Sequence, residues 1–219
     1  MNFGAVDTVI FDLDGTLTDP RQGITGCVVF ALSGLGYETP EPSDLEWFIG
    51  PPLLRSFMEL TGCDAEEGNR LIEKYRERYR TVGVHENLLY PGVEEMLAAL
   101  HGAGKILAVA SSKPEPFVRE ILKDFGLTKY FTVIEGSDFA GKHVEKTDVL
   151  SSALRLLQPQ NAVMVGDRKF DVEAARQLGL GSIGVRYGYA QGNELEEAGA
   201  DVIADSPAEI GKIILDTDR

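Results

Sequence analysis

Val6–Asp19 reads V-D-T-V-I-F-D-L-D-G-T-L-T-D, and the fold turns on how that stretch is read. Val9, Ile10 and Phe11 form a continuous apolar run of the kind that a buried strand needs. Asp12, Leu13 and Asp14 follow at once, and Gly15-Thr16 break the run. Carboxylates one residue apart on an extended chain point the same way. Left unpaired beside a core, they cost on the order of several kcal/mol or force one of them to protonate. A hard divalent cation such as Mg²⁺ removes that problem, because it takes oxygen ligands and is commonly held by one or two carboxylates plus substrate phosphate. Gly15 lets the backbone turn close to a ligand, so the N–H groups that follow it are expected to cradle an anion. The plain alternative is a strand that ends in an acidic turn, and two carboxylates alone do not decide between them.

Working outward, the chain first turns helical. Ile24, Val28, Ala31, Leu32 and Leu35 keep helical spacing up to Gly34/Gly36. A proline-rich loop, a short helix around Leu45–Phe48 and the break Gly50-Pro51-Pro52 lead to a helix carrying Leu53, Phe57 and Leu60, stopped at Thr61-Gly62. A longer helix is predicted from Asp64 to Arg80, with Leu71, Ile72, Tyr75 and Tyr79 inward. Its row Glu66, Arg70, Lys74, Arg78 reads as a solvated, salt-bridged face. Residues 20–85 show no strand signal.

From Tyr90 strands and helices alternate. Apolar strands are predicted at Ile106–Ala110, Phe131–Ile134 and Ala162–Val165, with weaker ones at Ser182–Val185 and Asp201–Ala204. Helices fall between them, and Ser206-Pro207-Ala208-Glu209 starts the last one. Strands that are apolar throughout and separated by helices imply a doubly wound, Rossmann-like parallel sheet covered on both faces. The predicted division is a core of 1–19 with 86–219 and an all-helical insert of 20–85. Ligands of such sheets sit at the carboxyl ends of the strands. Asp12/Asp14, Ser111/Ser112 and Asp167/Asp171 all fall at those ends, and three clusters at one edge are far more specific than any one.

In Gly166-Asp167-Arg168-Lys169-Phe170-Asp171, one acid sits at a strand end and another in the first helical turn. Helix capping would account for one of them. Both together, facing Asp12 and Asp14, fit a cation held by Asp12, the Asp14 carbonyl and Asp167, with Asp171 behind or through water. Ser111 is placed to grip a phosphoryl oxygen ahead of a helix N-terminus, with Ser112 beside it, or is a plain strand-to-helix turn. Lys146 starts a helix, where the dipole disfavours a cation, so it answers nearby negative charge; Lys142 and Lys113 compete for that role.

D-L-D-G-T-L-T-D (12–19), the strand ending in Ser111, Lys146 and G-D-R-K-F-D (166–171) resemble, in that order, the four motifs of the haloacid dehalogenase-like hydrolase superfamily. F-I-G-P-P-L (48–53) and Y-P-G-V (90–93) are in keeping with its phosphoglycolate-phosphatase-like subfamily, and the helical insert resembles its small cap. The third motif departs, since Lys146 stands in H-V-E-K-T-D rather than K-P-x-P. The resemblance implies a Mg²⁺-dependent phosphatase in which Asp12 attacks phosphorus and Asp14 serves as acid and then base. Ser111 and Lys146 would balance phosphoryl charge, with Gly15, Thr16 and Ser112 near the phosphate and Gly50 and Arg55 as substrate contacts from the cap. A phosphomutase, a pyrophosphatase and a phospho-aspartyl regulatory module are the other readings. Phosphoglycolate, nucleotides and sugar phosphates are all open as substrates.

Composition limits the partners. A net charge of −14 over 219 residues argues against nucleic acid or an anionic membrane surface, and means that an anionic metabolite needs local cations. Cys27 and Cys63 suggest no disulfide framework, and the start M-N-F-G-A-V-D has no signal-peptide pattern, so a cytoplasmic setting is expected. His85, His101 and His143 lack metal-ligand spacing, and Trp47 and Phe48 read as insert core.

Overall fold

The computed structural model describes residues 3–139 and 145–216. The chain divides into two compact units, Met1–Asp19 with Leu89–Arg219, and Pro20–Leu88. In the first, β1 (Thr8–Phe11) is followed, after the two-residue strands β2 (Thr18–Asp19) and β3 (Leu88–Leu89), by β4 (Ile106–Pro114), β5 (Val133–Ser137), β6 (Ala162–Gly166), β7 (Gly181–Val185) and β8 (Val202–Ala204). Six of these form one sheet in the order β5-β4-β1-β6-β7-β8, with every paired neighbour parallel. The architecture is α/β and Rossmann-like.

All four residues of β1 are buried, which is why its sequence is apolar without alternation. The crossovers explain the layers. Helices α4 (Val93–Gly102) and α5 (Glu115–Asp124) accompany the chain toward β5, whereas α6 (Lys146–Leu157), α7 (Lys169–Gln177) and α8 (Glu194–Ala198) accompany it toward β8. Right-handed crossovers moving in opposite directions place their helices on opposite faces. On one face Ile10, Ala108, Ala110 and Met164 pack with Val149, Leu150 and Ala153 of α6 and Ala174 and Ala175 of α7. Burying a side chain such as Ile10 contributes roughly 1.5–3 kcal/mol. The C-terminal helix α9 (Pro207–Leu215) packs on α4, and its N-cap Ser206 accepts a hydrogen bond from Glu209 N–H.

Two strands differ from expectation. β4 continues past Ala110 to Pro114, because a register shift between Ser111 and Pro114 keeps it paired with β5. β5 begins at Val133 rather than Phe131, since its partners on β4 start at Ala108.

The helical unit holds α1 (Arg21–Gly34), a 3-10 turn at Pro42–Phe48, α2 (Leu53–Thr61) and α3 (Ala65–Tyr79). Gly62, with φ of 70°, closes α2, and Asp64 caps α3 by accepting from Glu67 N–H. Phe48, Phe57, Tyr75 and Tyr79 form an aromatic row with ring centroids 5.2, 6.5 and 5.3 Å apart. Arg70, Lys74 and Arg76 pair with Glu67, Glu77 and Glu73 one turn away. Arg78 departs from the predicted solvated row: it turns inward, donates to both carboxylate oxygens of Glu86 and reaches Cys27 Sγ. No helix among the described residues is long and apolar enough to cross a membrane.

Candidate active site

Phe11 stands in register with Val109 of β4 and Val165 of β6, so the carboxyl ends of three strands arrive together. The chain leaves β1 toward β4 first and returns to β6 later, which makes this the switch point of the sheet. Asp12 extends the ladder by one residue, its N–H donating to Val165 O at 2.9 Å.

Among the described residues, the carboxylates of Asp12, Asp14, Asp167 and Asp171 and the ammonium groups of Lys113 and Lys146 occupy this edge. Lys146 Nζ lies 2.8 Å from Asp12 Oδ1 and 2.8 Å from Asp171 Oδ1, and donates to Ala110 O at 3.0 Å. Lys113 Nζ lies 2.7 Å from each oxygen of Asp14. Asp167 accepts from Tyr189 N–H at 2.7 Å and, at the long distance of 3.5 Å, from the Thr16 hydroxyl. Asp171 Oδ2 accepts from Arg168 N–H at 3.1 Å, capping α7. Asp171 therefore caps its helix and joins the acidic cluster at once.

Burial governs the electrostatics. It pushes Asp167 well above the ordinary carboxylate range, with Asp171 and Asp12 adding repulsion. Burial also lifts Asp171, to about 6, against the pull of Lys146. Asp14 is raised by burial, and Lys113 opposes the rise. For Lys146 burial works against the charge, but Asp12 and Asp171 outweigh it and hold the ammonium above its usual pKa.

The residues fit a divalent cation. One oxygen from each of Asp12, Asp167 and Asp171 lies within 4.8 Å of the others, and all three residues are buried. Among the described residues Lys146 meets Asp12 and Asp171 and Lys113 meets Asp14, so four acids face two ammonium groups, an acidic excess that a divalent cation would offset. The Asp14 side chain stays with Lys113, outside this trio.

Asp12, Asp14, Ser111, Lys146, Asp167 and Asp171, expected from far-apart stretches, converge here. Ser111 is buried and sits within β4 rather than after it, its Oγ accepting from Lys113 N–H at 3.4 Å. Ser112 is half-buried, with its carbonyl taken by the Ser137 hydroxyl. The N–H groups after Gly15, expected to cradle an anion, are bonded within the turn. Gly15 N–H donates to Thr18 O and Thr16 N–H to Leu13 O, because the turn after Asp14 closes on itself. Gly15 matters for another reason. Its φ is +80°, and a Cβ there would stand 2.0 Å from Asp167 Oδ2. Gly50 and Arg55 are exposed on the helical unit. Lys142 and His143 lie outside the described residues; His85 and His101 are exposed.

The segment after β7 was missed by sequence reasoning. Tyr187 donates its hydroxyl to Thr16 O at 2.8 Å, and Tyr189 donates its own to Asp19. A Cβ on Gly188 would come within 2.3 Å of Gly15 O, so this backbone is packed directly against the first loop. Burial and the nearby carboxylates push the Tyr187 and Tyr90 phenols up, which keeps both protonated. The one signal available was Tyr187-Gly188-Tyr189 at the end of a strand.

Comparison with known proteins agrees with this geometry. The model of the haloacid dehalogenase-like hydrolases matches residues 9–185. The chain is 43% identical over 189 residues to a 5'-nucleotidase of Pseudomonas aeruginosa, covering 85% of this chain and 86% of the relative. It is 33% identical over 222 residues to the phosphoglycolate phosphatase of Salmonella typhimurium, covering 90% and 88%. It is also 39% identical over 198 residues to the tyrosine-protein kinase PtkA of Mycobacterium tuberculosis, covering 89% of this chain and 67% of the kinase. A crystal structure of a predicted phosphatase from Clostridium acetobutylicum superimposes with a TM-score of 0.92 at 42% identity, covering 96% and 98%.

Proposed function

This chain belongs to the haloacid dehalogenase-like hydrolase family and is a phosphatase, and we propose that it frees phosphate from a small monoester in two steps through Asp12. In the first step an Asp12 carboxylate oxygen bonds to phosphorus as the P–O bond to the leaving alcohol breaks, and Asp14 gives that oxygen its proton. In the second, water attacks phosphorus of the aspartyl phosphate, Asp14 takes the proton back, and inorganic phosphate departs with Asp12 regenerated.

The observation that carries this reading is the division of labour between two neighbouring acids. Asp12 lies against Lys146 as a member of the trio suited to a cation, whereas Asp14 is held apart by Lys113. Burial raises Asp14, as a proton donor requires. Asp12, Asp167 and Asp171 would hold Mg²⁺, which when bound offsets charge on the phosphoryl group. Lys146 supplies a fixed cation, and the Ser111 hydroxyl a phosphoryl-oxygen donor. Residues 20–85 serve as the cap in this reading.

The names carried by relatives point to nucleoside 5'-monophosphates and phosphoglycolate as the esters to try first. The test is phosphate release from p-nitrophenyl phosphate and from those two esters, with Mg²⁺, with EDTA and for Asp12→Asn. Release that requires both the metal and Asp12 supports the proposal. Release that survives Asp12→Asn overturns it, and transfer of label to a tyrosine-containing protein in place of release would favour the activity named for PtkA.

A further inference from the structure

Asp14 is the one acid of the site that does not share the cation trio, and the reason is structural. Between the pairs Ser111↔Gly136 and Pro114↔Ser137, β4 spends two more residues than β5, so Ser112 and Lys113 form a bulge. The Ser137 hydroxyl fixes that bulge by donating to Ser112 O at 2.7 Å, and Lys113 N–H reaches Ser111 Oγ at 3.4 Å. In an unshifted strand the side chain of Lys113 would simply follow that of Ser111 on one face. The bulge re-aims it. Its side chain is only 7% exposed, and its ammonium sits 2.7 Å from both oxygens of Asp14.

A buried lysine placed symmetrically on one carboxylate does two things. It prevents Asp14 from turning toward the Asp12–Asp167–Asp171 trio, where a cation would capture it as a ligand. It also fixes the carboxyl plane, which a proton donor needs in order to meet the leaving oxygen. We propose that Lys113 is a positioning residue, which through Asp14 sets how well the enzyme expels leaving groups that need a proton. The inference rests on the two-step reading above.

The test uses the first turnover, in which only leaving-group expulsion is observed. Release of p-nitrophenol, which departs without a proton, is compared with release of glycerol from glycerol phosphate, which does not. For Lys113→Met, the loss on the alkyl ester should exceed the loss on the aryl ester by about a hundredfold, the scale of general-acid catalysis. Asp14→Asn should show the same selectivity, and the double variant should lose little more than Asp14→Asn alone. Lys113→Arg should recover part of the alkyl rate, since it keeps the charge with altered geometry. It also carries the test if Lys113→Met does not fold. Equal losses on both esters, no loss, or multiplicative losses in the double variant would each overturn the inference. Failure of the two-step reading looks different: wild-type protein would give no Asp12-dependent release of either leaving group.

Discussion

On α3 of the helical unit, charged side chains pair within a turn of their own helix. Arg70 with Glu67 and Arg76 with Glu73 sit at the surface, with one partner of each pair more than 60% exposed. In the sheet unit, Lys146 starts α6 yet pairs with Asp12 after β1 and Asp171 in α7, at exposures of 5%, 10% and 1%. The first kind of pair is local and screened by water. The second is assembled by the tertiary fold, and each member is intolerable without the others. Arg78 with Glu86 stands between, half-buried and bidentate. The difference separates charge that keeps a surface wet from charge that is held for chemistry.

Substitutions put that contrast to the test. The largest effect belongs to Asp12→Asn, which should reduce phosphate release by at least about a thousandfold while the far-UV spectrum stays native. Next, Lys146→Met leaves the acidic trio facing no ammonium. It should cost about 3–5 kcal/mol in denaturant unfolding without metal. Wild-type stability in that variant would mean that the trio is neutral, and the contrast would fail.

The third effect is on pH. Asp167 and Asp171 have folded pKa values raised above the unfolded ones, Asp171 to about 6. In that range the native state binds more protons than the unfolded chain, so metal-free stability falls as pH rises from about 4 through 6. Thermal unfolding in EDTA should show this decline, and Mg²⁺ should reverse it. Asp167→Asn should flatten the decline and weaken the Mg²⁺ response.

Smaller effects test the helical unit. Arg78→Ala should cost about 1.5–3 kcal/mol through its charge-assisted hydrogen bonds to Glu86. Arg70→Ala should stay within about 0.5 kcal/mol and leave phosphate release unchanged. A large loss at Arg70 would erase the distinction drawn here.

The comparison also explains what could be read in advance. Val9–Phe11 and Val163–Val165 are apolar without alternation because both faces of a parallel sheet are covered, and that pattern is local. Acids and serines at strand ends followed from the same logic, so Asp12, Ser111 and Asp167 were legible. Lys113 was legible only as a rival to Lys146, because its aim depends on a bulge fixed by β5. That the turn after Gly15 satisfies its own N–H groups is a hydrogen-bond account that no residue identity reveals.

Local sequence carries the α/β class, the helical character of 20–85 and the acids at the strand ends, since periodicity and residue chemistry depend on near neighbours. Only the tertiary structure decided which lysine meets which carboxylate, which N–H groups are spent, and that Tyr187, Gly188 and Tyr189 close over Asp167 and the first loop. Those outcomes depend on strand register and on burial, and a charge acquires its energy from what the fold places around it.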